Sequence, residues 1–204
     1  MVTGPVGVLA LQGGYQRHED LLTQLGLRTR KVRAASHLDG CTALVLPGGE
    51  STAITQLLQD DTLFTALQTF AWFNPVLGTC AGLILMGRVD DDARVRSLGL
   101  LDARIARNAY GRQAQSFQCA LEADLGQGRE QLPGLFIRAP QIVQTGPGVT
   151  VLARHNGDPV LIAQGHHMGA SFHPDLTGDV RVHRRWLEHA ARDSATPYCA
   201  GALI

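Results

Sequence analysis

The sequence predicts an α/β fold: a three-layer sandwich in which a central, mostly parallel sheet is flanked by helices. Three observations carry that expectation. Short, wholly apolar runs recur through the N-terminal half, at Val6 to Leu11, Ala43 to Leu46 and Val76 to Gly78, as parallel strands covered on both faces require. Longer amphipathic stretches alternate with them, the pattern of strands joined by covering helices. Each apolar run also leads into glycines, at Gly13-Gly14, Gly48-Gly49 and Gly78 to Gly82, where tight turns or close backbone approach are wanted.

Taken in order, Val6 to Leu11 reads as a buried strand that ends at Gln12. A helix follows from about Arg17, with Leu21, Leu22 and Leu25 on one face and Gly26 as its stop. Thr29 to Arg33 and Ala43 to Leu46 read as the next strands. Pro47-Gly48-Gly49 then turns the chain into a helix that opens at Glu50-Ser51-Thr52 and runs through Leu58. Leu63, Phe64, Leu67 and Phe70 carry helical spacing, and Asn74-Pro75 ends that segment. Val76 to Gly78 makes a short strand with Cys80 at its end, and Ala81 to Met86 reads as a buried helix. From about Asp90 the periodicity weakens, and Ala93 to Glu122 mixes strand-like alternation with glycine. Leu135 to Arg138, Val149 to Ala153, Val160 to Gln164 and Gly169 to Phe172 read as strands between Pro and Gly turns. A last helix spans Asp179 to Arg192, with Val182, Trp186, Leu187 and Ala190 on one face. Ser194 to Ile204 reads as a frayed tail.

Nothing in this order suggests a boundary, so residues 1 to 204 read as one domain, long enough to bury a full core without disulfides or a structural metal. Eighteen Lys and Arg balance eighteen Asp and Glu, which leaves no electrostatic footprint for nucleic acid or an anionic membrane. The cysteines, Cys41, Cys80, Cys119 and Cys199, form no CxxC pair or zinc-finger spacing. No cofactor or metal is expected. The opening MVTGPVGVLALQGG lacks a basic stretch ahead of its short apolar run, and no window approaches about 18 apolar residues, so the chain reads as a cytoplasmic protein.

The sharpest chemical signal is Gly78-Thr79-Cys80-Ala81-Gly82, a G-x-C-x-G between an apolar strand and an apolar helix. It has the logic of a nucleophile elbow, where small residues flank a side chain held on a strand-to-helix turn. A free thiol has a pKa of about 8.5, which a helix N-terminus and a neighbouring imidazole lower. Amides at the start of the same helix can bind an oxyanion. The alternative is a structural cysteine buried between packing glycines. A nucleophile needs a base. His173 in Ser171-Phe172-His173-Pro174-Asp175 stands at a strand end, with Asp175 placed to hold its tautomer, the third role of a triad. His166 and His167 read as exposed in a polar turn, and His18, His37, His155, His183 and His189 as surface or helix-flank residues. Pro47-Gly48-Gly49-Glu50-Ser51-Thr52 is either a place where backbone amides meet a ligand or a tight turn with Ser51 as helix cap. Arg107, in Arg107-Asn108-Ala109-Tyr110-Gly111-Arg112-Gln113, and Arg138 either pair with a substrate carboxylate or make salt bridges within the fold.

VLALQGG, LPGGEST, GTCAGLILM, RNAYGRQ, FIRAP and SFHPDLT together resemble the class I glutamine amidotransferases in order and approximate spacing. RNAYGRQ, FIRAP and ALQG narrow the likeness to the glutaminase subunits of pyridoxal 5′-phosphate synthases. The resemblance runs from about Val6 to the final helix, and it implies a flavodoxin-like fold. It further implies that Cys80 attacks the side-chain amide of L-glutamine, that His173 moves the protons, and that Asp175 orients His173. By the same likeness Gly49, Glu50, Ser51, Arg107, Ile137 and Arg138 would bind L-glutamine, and Gly48, Gly49 and Ala81 would offer oxyanion-hole amides. Ammonia would pass to a (β/α)8-barrel synthase subunit in a hetero-oligomer, whose docking activates similar glutaminases. One position departs from the family: its usual acid is Glu, and Asp175 is a methylene shorter. That leaves two alternatives to the main reading, a glutaminase serving another synthase such as that of imidazole glycerol phosphate, or a catalytically impaired binding subunit.

Overall fold

Each apolar run of the N-terminal half forms a strand, and each amphipathic run forms a helix. The computed structural model describes residues 3–59, 61–89, 94–107 and 116–193. The chain opens with β1 (Val6–Leu9), α1 (Tyr15–Gln24), β2 (Thr29–Val32), β3 (Ala43–Leu46), α2 (Ser51–Leu57), α3 (Asp61–Phe73), β4 (Val76–Thr79) and α4 (Ala81–Met86). It continues with β5 (Ala103–Ala106), β6 (Phe117–Asp124), β7 (Arg129–Phe136), β8 (Gln141–Thr145), β9 (Thr150–His155), β10 (Asp158–Gln164), β11 (His167–Ala170) and α5 (Arg181–Asp193).

Nine strands form the central sheet in the order β2-β1-β3-β4-β11-β10-β9-β6-β7. From β2 to β11 neighbours are parallel, and beyond β11 they are antiparallel. β5 and β8 pair as a separate two-stranded sheet. Alternation along β3 shows how the layers are made. Leu44 and Leu46 join the apolar cluster containing Ile54 of α2, Leu67 of α3 and Leu83 of α4. Ala43 and Val45 join the opposite cluster, with Leu22 of α1 and Val182 and Trp186 of α5. Helices thus cover both faces of the parallel strands, and the strands are apolar throughout for that reason.

Several boundaries differ from the sequence reading. α1 begins at Tyr15 rather than Arg17. β11 ends at Ala170 instead of Phe172. β7 starts at Arg129, upstream of the predicted Leu135, because Pro133 lies on the edge strand of the sheet, where no neighbour needs the N–H that proline lacks. The same strand stops at Phe136. Arg138 has φ 42°, a left-handed conformation that cannot continue a strand, so Ile137 and Arg138 lie past its end. β8 was not foreseen. The predicted stretch Asn108 to Gln113 and the tail from Ser194 lie outside the described residues. Among those described, no helix is long and apolar enough to cross a membrane.

Candidate active site

β4 and β11 run side by side, with Gly78 opposite Gly169 and Thr79 opposite Ala170, so the residues that follow the two strands emerge at one sheet edge. Cys80 follows β4, and its N–H donates to the Ala170 carbonyl at 2.8 Å. Its φ of 49° and ψ of −106° lie where a residue with a Cβ is strained, a feature that concentrates at functional positions. Glycines make the turn possible. A Cβ on Gly82 would fall 1.9 Å from the Leu46 carbonyl oxygen, and one on Gly78 would fall 2.5 Å from Met86 Sδ.

Past β11 the chain reaches His173, which opens a short 3-10 turn, Pro174–Leu176. Its N–H donates to the Leu135 carbonyl at 2.8 Å. His173 Nδ1 stands 3.3 Å from Asp175 Oδ1. Burial alone would lower the pKa of His173, but its hydrogen bonds to Asp175 and Cys80 and the charge on both push it up to about 10. Burial likewise works against the Asp175 anion, yet the hydrogen bond from His173 and the neighbouring His18 hold its carboxyl below the usual range. At neutral pH the site therefore holds an imidazolium between a carboxylate and a sulfur. Gly48 lets the ring lie there: a Cβ on it would come within 2.4 Å of His173 Cε1 and 3.3 Å of Cys80 Cβ.

A cavity of about 280 Å³ opens beside Cys80 and His173, at the small end of the ~300–1,000 Å³ typical of ligand pockets and suited to an amino acid. Gly49, Glu50 and Ser51 enter it from the β3–α2 turn, Arg107 from beyond β5, and Ile137 and Arg138 from beyond β7. The Ile137 carbonyl oxygen sits 4.0 Å from Cys80 Sγ. Every predicted glutamine-binding residue thus faces one space. Gly48 and Ala81, the other predicted oxyanion donors, are not among its lining residues; Gly48 lies against the His173 ring and Ala81 is buried as the first residue of α4.

Details within this set differ from expectation. Glu50, not Ser51, caps α2: its carboxylate accepts from the Thr52 and Ala53 amides at 3.0 and 2.7 Å. Although desolvation opposes it, those amides and Arg107 keep Glu50 ionised below its ordinary pKa. Arg107 is anchored too, with Nη2 donating to Thr52 Oγ1 at 2.9 Å and lying 3.6 Å from Glu50 Oε1. Gln12 was missed as a site residue. Its Oε1 accepts from the Glu50 N–H at 2.8 Å, and its side chain lines the cavity with that of Ile84. A polar residue ending an apolar strand was the available signal.

The histidines depart furthest from expectation. His166, His167, His18 and His183 are all buried, not exposed, because each has polar partners inside. His166 Nε2 donates to the Ala71 carbonyl at 3.0 Å, and His167 Nδ1 accepts from the Val76 amide at 3.2 Å. His18 and His183 lie beside Asp175. Among the described residues no cluster of His, Cys, Asp and Glu could hold a metal ion.

The model of the SNO glutamine amidotransferase family matches residues 8–192. The chain belongs to that family. Among similar members, the pyridoxal 5′-phosphate synthase subunit PdxT of Pelotomaculum thermopropionicum is 45% identical over 188 residues, covering 92% of this chain and 95% of the relative. PdxT of Thermotoga neapolitana is 42% identical over 184 residues, 90% of this chain and 97% of its own. A solved glutamine amidotransferase structure superposes with a TM-score of 0.85 at 42% identity, over 92% of this chain and 100% of that one. The fold is accordingly the flavodoxin-like α/β fold of class I glutamine amidotransferases.

Proposed function

We propose that this SNO-family chain is the glutaminase subunit of a pyridoxal 5′-phosphate synthase, hydrolysing L-glutamine to L-glutamate and ammonia and handing the ammonia to a barrel-shaped synthase subunit. The observation that carries the chemistry is the meeting of Cys80, His173 and Asp175 beside an amino-acid-sized cavity. The name shared by the relatives supports the acceptor.

Cys80 Sγ, its proton taken by His173, attacks the side-chain carbonyl carbon of glutamine. Negative charge develops on the carbonyl oxygen, for which the amides of Gly48, Gly49 and Ala81 are the proposed donors. Glu50 is a poor candidate because Gln12 already takes its N–H. His173 then protonates the departing nitrogen, the C–N bond breaks, and ammonia leaves a glutamyl thioester on Cys80. Water, deprotonated by His173, attacks the thioester carbon; the C–S bond then breaks, glutamate leaves, and Cys80 regains its free sulfur, with the proton held by the Cys80–His173 pair. Asp175 holds His173 through both steps. Arg107 or Arg138 pairs with the substrate carboxylate, and Glu50 with its amino group. The thiol must stay reduced, which suits a cytoplasmic location.

In the presence of the barrel subunit, Cys80→Ala should abolish glutamate release while the two subunits still co-elute. Glutamate release at the wild-type rate would remove Cys80 from the mechanism. Ammonia delivery to an imidazole glycerol phosphate synthase, with none to the pyridoxal phosphate synthase, would replace the acceptor.

A further inference from the structure

Beside Asp175 lies a buried polar chain that the triad does not account for. His18 on α1 and His183 on α5 are fully buried, with His18 Nδ1 and His183 Nε2 2.9 Å apart. The other ring nitrogen of His18, Nε2, is 3.2 Å from Thr79 Oγ1 and 3.7 Å from Asp175 Oδ1. Thr79 is the residue immediately before Cys80, so this chain touches both the acid and the neighbour of the nucleophile. α1 also brings its N-terminus: a Cβ on Gly14 would stand 3.1 Å from Asp175 Oδ2.

The contact between His18 and Asp175 is not an ion pair. Burial pulls the His18 pKa down to about 4, against the opposing pull of Asp175, so the ring is neutral at pH 7. A neutral imidazole carries one N–H, and its position decides what His18 does. Were that N–H on Nδ1, His183 Nε2 would have to accept, leaving its proton on Nδ1. That atom has no hydrogen-bond partner among the described residues, and a buried orphan N–H is the costlier defect. His18 would also turn a bare lone pair toward the Asp175 carboxylate. In the opposite tautomer His183 Nε2–H donates to His18 Nδ1, and His18 Nε2–H donates to Thr79 Oγ1 at 3.2 Å while turning its positive end toward Asp175 Oδ1, 3.7 Å away and beyond hydrogen-bond length. Only an acceptor lone pair on His183 is then left over.

We propose that His18, oriented by His183 and hydrogen-bonded to Thr79, is a positioning residue for glutamine hydrolysis: its Nε2–H dipole, 3.7 Å from Asp175 Oδ1, favours the carboxylate orientation that in turn holds His173. The inference rests on the triad reading above. It explains how an acid with a short side chain is held in place: Asp175 Oδ1 meets both His173 Nδ1, at 3.3 Å, and His18 Nε2, at 3.7 Å, while Oδ2 faces Gly14 at the start of α1.

Two measurements on the full chain test it. In ¹⁵N-histidine-labelled protein at pH 7, His18 should show the neutral Nε2–H tautomer, and a neutral Nδ1–H tautomer would overturn the proposal without any substitution. In the complex with the barrel subunit, His18→Leu should lower kcat about 10- to 100-fold with KM for glutamine nearly unchanged, and His18→Gln, which restores an N–H donor, should recover most of the loss. In an Asp175→Asn background, His18→Leu should add less than about twofold, since the group it acts through is gone. A folded His18→Leu with wild-type kcat, or equal losses in both backgrounds, would contradict the role of His18. If Asp175→Asn alone leaves kcat unchanged, the triad reading itself has failed.

Discussion

Cys80 differs from the other described cysteines in its surroundings, and the difference has a chemical consequence. Burial raises the pKa of Cys41, partly offset by Arg30, and burial raises that of Cys119. Arg30 stands near Cys41 and His155 Nδ1 lies 3.5 Å from Cys119 Sγ, but neither thiol sits in the cavity beside a ring paired with a buried carboxylate, as Cys80 does with His173 and Asp175. A diazoketone analogue of glutamine should therefore alkylate Cys80 alone, and excess L-glutamine should protect it, as peptide mass spectrometry would read. An adduct on Cys41 or Cys119, or one insensitive to glutamine, would count against the site. Cys80, His173 and Asp175 were legible in the sequence because a small-residue elbow and a His-x-acid pair are local patterns. Gln12, Thr79, His18 and His183 were not. Their roles arise from partners 38 to 165 residues away in the chain, and on its own helix His18 looks like any polar flank residue. The Asp175 departure, which suggested an impaired subunit, does not separate the pair: the carboxylate still reaches His173 at 3.3 Å.

The element that matters most is the β4–Cys80–α4 junction. Helix α4 can follow Cys80 without a loop only because it packs directly on β3, with Gly82 against the Leu46 carbonyl. Even one methyl group there has no room. Gly82→Ala should cost about 1–3 kcal/mol or more of stability in urea denaturation, with a loss of glutaminase activity beyond the unfolded fraction because the elbow shifts. An unchanged midpoint with full activity would mean the packing yields more easily than the contact implies. The parallel strands were readable because burial on both faces makes them apolar runs. The antiparallel half was harder to read. β6, β7 and β9 have mixed faces, Pro133-Gly134 inside β7 mimics a turn, and among the described residues β8 pairs only with distant β5.

Across the whole molecule, buried neutral histidines set an acid limit. Burial, as the largest cause, lowers His18 to about 4 and His167 and His183 to about 3, from an ordinary 6.5. Between those values the unfolded chain binds protons that the folded chain does not, so stability rises with pH there and is lost as pH falls from 6.5 toward 4. His173, raised to about 10, contributes in the opposite sense: its stabilisation is complete below 6.5 and fades as pH climbs toward 10. The Tm should decline steadily between pH 6.5 and 4.5, and a flat Tm over that range would show that these rings protonate without cost. The central claim is that Cys80 releases ammonia from glutamine for use by a partner synthase. Its most direct test feeds [amide-¹⁵N]glutamine to the assembled complex. The wild type should place ¹⁵N in pyridoxal phosphate, and the Cys80→Ala complex should do so only from added ¹⁵N-ammonium. Incorporation from glutamine by Cys80→Ala at the wild-type level would contradict the account.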